Sequence, residues 1–125
     1  MMETIGAYKN LQVWQKAMKF VEAVYLLIRE FPAFERYALS DQLRRAVVSV
    51  PSNIAEGNGR TSNKDYAHFL SIARGSLYET MTQVELAKNL GYISESIDDI
   101  EVMACELSKM LTAMIKRFSP ESISK

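Results

Sequence analysis

Apolar residues in this chain recur every three or four positions over four long segments, and this helical periodicity restricts the fold more than any other feature. Three prolines and five glycines punctuate the segments. No segment alternates apolar and polar residues over the length that would indicate a strand. The pattern predicts an all-α chain with helices at about residues 10–31, 40–58, 62–90 and 96–118.

The lengths of the segments and of their connections predict how the helices pack. A helix of about 20 residues is about 30 Å long, and short connections place consecutive helices side by side in opposite directions. The prediction is an antiparallel up-down four-helix bundle with a frayed tail at residues 121–125. Hydrophobic residues make up 48% of the chain and charged residues 24%, which indicates one globular domain over residues 1–125.

Residues with known capping preferences mark the ends of several segments. Asn10 is the predicted N-cap of the first helix. Ser62 followed by Asp65 forms a capping-box pattern at the start of the third helix, and Ser96 repeats this pattern at the start of the fourth. Gly91 is predicted to adopt a left-handed conformation directly after the third helix.

The first segment carries two apolar stripes. The stripe predicted to face the core comprises Leu11, Trp14, Met18, Val21, Tyr25 and Ile28. The second stripe, beside it, comprises Val13, Ala17, Phe20, Val24, Leu27 and Phe31. One face of a bundle helix needs an apolar stripe only about 100° wide. The two stripes therefore form either one wide core face or a core face with a surface for another copy, and the sequence favours neither.

Charge and apolar content exclude several classes of partner and location. Fifteen basic and fifteen acidic residues balance, so no overall field attracts nucleic acid or an anionic membrane. No apolar run approaches the roughly 20 residues that span a bilayer, so no membrane association is expected. The first ten residues lack an apolar stretch, so we expect no signal peptide. The single cysteine, Cys105, indicates the reducing cytoplasm.

No constellation of residues predicts catalysis. A carboxylate metal site in a helical bundle needs Glu-x-x-His motifs, but His68 is the only histidine and Asp65 stands three residues before it. Residues 57–59, Gly-Asn-Gly, lack the third glycine and the preceding strand of a dinucleotide loop. Cys105 lies on a helix flank and is predicted to be a partly buried structural cysteine. We therefore expect no enzyme, no cofactor and no metal site.

The stretch from residue 44 to residue 60, RRAVVSVPSNIAEGNGR, departs most from a regular helix. Pro51 lacks a backbone N–H and its ring clashes with the carbonyl four residues earlier, which predicts a kink in the second helix. Gly75 is predicted to let the second and third helices approach closely near Ala46. The residues assigned a structural role are Pro51, Asn53, Glu56, Gly57, Gly75 and Glu79.

Charged residues of the same stretch are predicted to form a polar seam between the second and third helices. If the turn is centred near residue 60, the arginines at 44–45 lie within reach of Glu79. Glu56 is predicted to reach Arg60 at i,i+4 or Lys64 across the turn. Each exposed pair contributes under about 1 kcal/mol, so the seam fixes helix register more than it adds stability.

Three stretches of the chain together resemble a known family. They are LQVWQKAMKFVEAVY, LRRAVVSVPSNIAEGNGR and DYAHFLSIARGSLYETMTQVELAKNLGYI. Over about residues 11–118 the chain is similar to the small bacterial four-helix bundle proteins, also called 23S rRNA intervening sequence proteins. The run Pro-Ser-Asn-Ile-Ala-Glu-Gly, residues 51–57, is the most specific part of the resemblance.

The resemblance implies an assembly and a class of partner. Members of the family have no established catalytic activity, and the family is similar to accessory proteins of diversity-generating retroelements. Those relatives form homopentameric barrels and bind nucleic acid and a reverse transcriptase. The resemblance therefore implies a homopentamer, which would use the second apolar stripe of the first helix, and a nucleic-acid partner.

Because the overall charge is balanced, any nucleic-acid contact must come from a local basic patch. The candidate contacts lie on the second and third predicted helices and are Arg44, Arg45, Arg60, Lys64 and Arg74. The leading hypothesis is a non-enzymatic homo-oligomeric scaffold that binds RNA or DNA through these residues. The alternative is a protein-interaction adaptor without nucleic-acid binding, whose partner is a protein such as a reverse transcriptase.

Overall fold

A computed structural model describes residues 5–119, and these contain helices and no strand. The four long helices are α1 (Gln12–Ile28), α2 (Leu39–Asn58), α3 (Asn63–Asn89) and α4 (Asp98–Phe118). Short 3-10 helices at Ala7–Asn10 and Ala33–Glu35 precede α1 and α2. The predicted all-helical fold is confirmed, while the predicted tail at residues 121–125 lies outside the described residues.

Helices α2 and α3 pack against each other over most of their length. The hydroxyls of Ser49 and Ser76 are 2.8 Å apart, and nearer the connection Asn58 Nδ2 donates to the Tyr66 hydroxyl at 3.4 Å. Contacts therefore move towards the start of α3 as they move towards the end of α2. This order is the one expected for antiparallel neighbours.

Helix α3 also packs against α4. The hydroxyls of Tyr78 and Ser108 are 3.2 Å apart, and the ring centroids of Tyr66 and Phe118 are 4.6 Å apart. Again, contacts near the start of one helix involve the end of the other. Helix α1 completes the arrangement by packing against both α2 and α4.

All four helices contribute large side chains to one buried cluster. The largest fully buried apolar side chains are Phe20, Leu43, Ile54, Leu70, Leu77, Leu107 and Leu111. Burying one aliphatic or aromatic side chain of this size contributes about 1.5–3 kcal/mol relative to leaving it in water. Packing against neighbours, rather than helix propensity, therefore holds each amphipathic helix in place.

The prediction that the first stripe of α1 faces the core was wrong for Met18 and Tyr25, although Ile28 is buried and Leu11, Trp14 and Val21 pack against the core. The second stripe, from Val13 to Phe31, is buried along its whole length. In the first stripe, Met18 is 37% exposed and Tyr25 is 41% exposed, while Trp14 is half-buried. Because both stripes are strongly apolar, hydropathy alone did not show which one points between α2 and α4. The second stripe is therefore not available to another copy, whereas Met18 and Tyr25 of the first stripe stay open.

Several predicted helix ends need correction. Helix α1 begins after Leu11, which offers no side-chain cap, because Asn10 belongs to the preceding 3-10 helix. It ends at Ile28 rather than at residue 31, since Phe31 N bonds to the Ile28 carbonyl in a tighter turn at 3.0 Å. Helix α4 begins after Ile97, so Ser96 lies one residue before the N-cap position.

The predicted ends of α3 are confirmed. The Ser62 hydroxyl is the N-cap and accepts a hydrogen bond from Asp65 N at 3.1 Å. Gly91 has a φ of 81°, the left-handed conformation that favours glycine. Tyr92 N then bonds to the Ala87 carbonyl at 3.0 Å, as in a Schellman motif. Both ends depend on local sequence, which is why they could be predicted.

Candidate functional site

Two of the five predicted nucleic-acid contacts are paired with carboxylates of their own helical segment. Arg45 Nε lies 3.0 Å from Asp41 Oδ2, and Arg60 Nη2 lies 2.7 Å from Glu56 Oε2. Both pairs are at i,i+4 and both are substantially exposed to solvent. The Glu56–Arg60 contact is the one predicted from the sequence. These two arginines carry compensated charge.

The other three predicted contacts lie far apart. Arg74 Nη1 donates to Thr112 Oγ1 on α4 at 3.2 Å, and Lys64 is exposed in the first turn of α3. Lys64 and Arg74 are about 15 Å apart along the rise of α3, and Arg44 lies on the other helix, in the first half of α2. The structure therefore does not bring the five predicted residues into one patch.

The predicted ion pair between α2 and α3 is not formed. Arg45 turns to Asp41, and Glu79 makes no ion pair within 4.0 Å among the described residues. Arg45 and Glu79 only share a shallow hollow between the helices. The observed register, with Ser49 facing Ser76, keeps Glu79 close to the level of Arg45, so the pair is absent because Arg45 binds Asp41 and not because the helices are misaligned.

Asn53 anchors the polar contact between α2 and α3. Its Nδ2 donates to the Ser49 carbonyl and to the Ser49 hydroxyl, each at 2.8 Å. The Ser49 hydroxyl in turn meets the Ser76 hydroxyl, and the carbonyl of Ser76 accepts from Thr80 Oγ1 at 2.7 Å. Ser76 and Thr80 are buried, so the chain of bonds satisfies polar groups inside the contact.

Pro51 lies inside α2, which is a single helix from Leu39 to Asn58. The Pro51 ring is buried and lines a hollow together with Trp14 and Met18 of α1. A kink at this position stays a prediction.

The close approach between α2 and α3 occurs at Gly57 and not at Gly75. A Cβ atom at Gly57 would lie 2.8 Å from Phe69 Cβ and 3.0 Å from Tyr66 Cδ1. A Cβ atom at Gly75 would meet nothing within 4 Å. The prediction for Gly75 was therefore wrong, and the glycine of the Pro-Ser-Asn-Ile-Ala-Glu-Gly run is the one that the packing requires.

An apolar groove follows the outer side of α1 and α2. We call it the α1–α2 groove, and its apolar lining is Tyr8, Trp14, Met18, Val21, Tyr25, Leu26, Val48, Pro51 and Ala55. It consists of two hollows of about 340 Å³ and 460 Å³ that share Val21 and Val48. Val48 is 40% exposed although it is aliphatic. The described residues leave this groove uncovered.

A second apolar surface lies on the other pair of helices. We call it the α3–α4 patch, a hollow of about 340 Å³ lined by Leu77, Tyr78, Met81, Glu101, Ala104, Cys105 and Ser108. Tyr78 is 53% exposed there. Cys105 is exposed as well, so the prediction of a partly buried cysteine was wrong.

Three arginines converge on a cleft that the sequence did not indicate. Arg29 follows α1, Arg36 lies in the connection, and Arg44 lies on α2, and all three line one hollow of about 370 Å³. We call this hollow the arginine cleft. Its remaining lining is Tyr25, Ile28, Phe31, Pro32, Ala33 and Ser40, and it adjoins the α1–α2 groove, since Tyr25 and Arg29 line both hollows. Arg44 Nη2 donates to the Arg36 carbonyl at 3.1 Å, which joins α2 to the connection.

The acidic residues nearest in sequence to the arginine cleft have other partners, and one of them, Glu35, binds the start of α2 next to Ser40. Glu30 Oε1 accepts from the hydroxyl of Ser94 at 2.8 Å and from its backbone N–H at 3.2 Å. Glu35 accepts from Leu39 N at 3.2 Å, and Asp41 is paired with Arg45. Among the described residues, no ion pair within 4.0 Å neutralises an arginine of the cleft.

Glu35 also accepts a hydrogen bond from Tyr92, and this contact ties the α1–α2 connection to the segment after α3. The Tyr92 hydroxyl donates to Glu35 Oε2 at 2.7 Å. This hydrogen bond is the main cause that raises the pKa of Tyr92 above 10.0, since it favours the protonated phenol, and burial and the carboxylate charge act in the same direction.

The metal-ligating side chains considered from the sequence do not form a cluster among the described residues. Within residues 5–119 no group of three or more His, Cys, Asp or Glu side chains is placed to hold a metal ion. His68 is exposed on α3, and its ring makes an edge-type contact with the Phe69 ring at 5.5 Å between centroids. None of the described helices is long and apolar enough to cross a membrane.

The fold defines a class of small helical proteins. Four helices pack around one core, and two apolar surfaces stay uncovered by residues 5–119. A family model described as 23S rRNA-intervening sequence protein matches residues 9–113. The chain belongs to this family, as the resemblance predicted. Comparison with curated proteins gives no match.

Proposed function

We propose that this protein is a non-enzymatic homo-oligomeric scaffold, assembled as a homopentamer in the cytoplasm, that binds RNA or DNA through basic patches. The single observation that carries the proposal is the uncovered α1–α2 groove. Large apolar hollows that a chain leaves open on its surface mark sites of protein–protein contact.

The position of the two apolar surfaces supports a closed ring. The α1–α2 groove and the α3–α4 patch lie on different helix pairs, so a contact between them joins unlike surfaces of neighbouring copies. Contacts of this heterologous kind close into rings when the rotation between copies permits. Five is the number of copies implied by the similarity to homopentameric relatives.

Light scattering on the purified chain tests the assembly. The expected particle has about five times the 14.2 kDa mass of one chain. A monomer at micromolar concentration would contradict the proposal.

A charge placed in the groove tests which surface is used. Val48→Asp places a carboxylate among apolar residues and is expected to dissociate the particle. Leu86→Asp is the matched control, because Leu86 is 46% exposed and lines neither surface. Equal dissociation by both variants would argue against the groove as the contact.

The nucleic-acid part of the proposal predicts electrostatic binding. Repetition of Arg44, Lys64 and Arg74 around a ring multiplies weak phosphate contacts, whereas Arg45 and Arg60 are already paired. Affinity for structured RNA or duplex DNA should fall linearly with salt concentration on logarithmic axes, because bound cations are released. Fluorescence anisotropy at low salt measures this affinity. If neither RNA nor DNA binds, the nucleic-acid part of the proposal is wrong.

The apolar lining of the groove also favours the alternative, a protein-interaction adaptor that binds no nucleic acid. In that case the groove receives an amphipathic helix of a protein partner such as a reverse transcriptase. Size-exclusion chromatography with absorbance at nucleic-acid and protein wavelengths distinguishes the two functions. A co-purified protein without nucleic-acid absorbance supports the adaptor.

A further inference from the structure

We infer that the arginine cleft is a binding site for a phosphate monoester, such as the one on a nucleotide or at the end of a nucleic-acid strand. The proposed function bears on this inference in one respect only: if the protein binds nucleic acid, the phosphate could come from the end of a strand. It names residues that the predicted nucleic-acid contacts did not include, since only Arg44 is common to both sets.

The charge of the cleft is the first argument. Arg29, Arg36 and Arg44 all line one hollow, and none has a carboxylate partner within 4.0 Å among the described residues. A guanidinium presents a planar fork of donors that matches phosphate oxygens. Like charges gathered without a counter-ion repel each other, and an anion in the hollow relieves that repulsion.

The position of Ser40 in the cleft is the second argument. Ser40 is only 4% exposed and lines the hollow, and no side-chain hydrogen bond engages its hydroxyl among the described residues. Ser40 lies in the first turn of the 20-residue helix α2, whose N-cap Ala38 supplies no side-chain bond. Leu39 N already donates to Glu35 Oε1, so the dipole of this helix start and the remaining N–H groups of its first turn are what favour an anion.

The number of charges selects the kind of phosphate. A phosphodiester carries one negative charge, whereas a phosphate monoester carries about 1.5 to 2 near pH 7. Three uncompensated guanidinium groups therefore match a monoester better than a diester. The wall formed by Ile28 and Phe31 is apolar and buried, and Tyr25 beside it is partly exposed.

Calorimetry on the full chain at low salt tests the site with a nucleoside 5′-monophosphate and with the same nucleoside lacking phosphate. The monophosphate is expected to bind and the nucleoside is not. Arg36→Gln and Arg29→Gln should each weaken binding by about tenfold or more. Arg45→Gln is the matched control and should stay within about twofold, since Arg45 pairs with Asp41 outside the cleft.

A second pair of probes separates the sources of the phosphate. One RNA oligonucleotide is compared with and without a 5′-phosphate by fluorescence anisotropy. Preference for the phosphorylated strand, lost in Arg36→Gln, assigns the site to strand ends. Binding of the monophosphate without any binding of RNA supports the cleft and contradicts the nucleic-acid function. If RNA binds equally well with and without the 5′-phosphate, and Arg36→Gln does not change its affinity, the nucleic-acid function is supported and the inference is overturned.

Three other results overturn the inference. The first is absence of monophosphate binding to the parent protein at millimolar concentration. The second is an equal loss in Arg45→Gln and Arg36→Gln. The third is dissociation of the parent particle by Arg36→Gln at unchanged circular dichroism, because the arginines would then serve a contact between copies.

Discussion

Helix α2 contacts α3 on one side and α1 on the other, and the two contacts differ in kind. Against α3, the backbone approaches closely at Gly57 and the Ser49 and Ser76 hydroxyls meet directly. Towards α1, the helices bury their shared core, but outside it the α1–α2 groove stays open beside Val48. Helix α2 is thus fully covered by its own chain on the α3 side and only partly covered on the α1 side.

The difference shows how one short sequence run can serve two surfaces. Within the run, Asn53 and Gly57 serve the contact with α3, while Pro51 lines the groove towards α1. Substitutions on the α3 side should therefore change the stability of the fold. Substitutions on the groove side, such as Val48→Asp, should change assembly and leave the fold largely intact.

The largest effect on the α3 side is expected for Gly57→Ala. Its new methyl group overlaps Phe69 and Tyr66, so the unfolding free energy should fall by about 1–3 kcal/mol. Gly75→Ala is the matched control, because the site is open and alanine favours the helix by up to about 1 kcal/mol. Urea denaturation measures both, and equal destabilisation would contradict the assigned contact.

Removal of the hydroxyl contact comes next in size. Ser49→Ala removes the partner of Ser76 and one acceptor of Asn53, so the unfolding free energy should fall by about 1–2 kcal/mol. Ser52→Ala is the control, since Ser52 is exposed on the groove side and its loss should change stability by less than about 0.5 kcal/mol. A larger effect at Ser52 would reverse the comparison.

Ion pairs along α2 should add less. A double-mutant cycle on Glu56 and Arg60 should give a coupling energy of about 0.3–0.5 kcal/mol, typical of exposed i,i+4 pairs. The same cycle on Arg45 and Glu79 should give a value near zero, because no ion pair joins them. Significant coupling between Arg45 and Glu79 would mean that the α2–α3 contact has an ionic component in solution.

The smallest effect on stability is expected at alkaline pH, where deprotonation of Tyr92 breaks its hydrogen bond to Glu35. Because the pKa of Tyr92 is raised in the folded chain, its contribution to stability is complete below pH 10.0 and is lost as the pH rises through the folded pKa. Urea midpoints from about pH 9 to 11 should therefore decline less in Tyr92→Phe than in the parent. Tyr37→Phe, on a tyrosine that is 87% exposed, should decline like the parent.

The parts of the fold that depend on local sequence could be predicted. Ser62 as a cap, Gly91 as a left-handed residue and the Glu56–Arg60 pair each involve neighbours within four residues. Helix periodicity likewise predicted the four long helices, with errors of one to three residues at most ends. The first helix ends earlier than predicted because the residues after Ile28 form i,i+3 backbone hydrogen bonds instead of helical ones. No residue type in this stretch signals that change.

The parts that depend on register could not be predicted in the same way. Gly57 and Gly75 are equally permissive residues, and only the alignment of α2 with α3 decides which one faces a neighbour. The two stripes of α1 are equally apolar, so only the positions of α2 and α4 select the buried one. Arg29 and Arg36 were missed because their meeting with Arg44 depends on the path of the connection.

The exposed position of Cys105 gives the protein a reporter of its own. It is the only cysteine in the chain, and it lies in the α3–α4 patch beside Tyr78 and Met81. A thiol reagent added to the native protein therefore reports on that one surface without any engineered label. The alkylation rate should be slow where a neighbouring copy covers the patch and fast in the dissociated Val48→Asp variant, which links a single chemical rate to the occupancy of a surface.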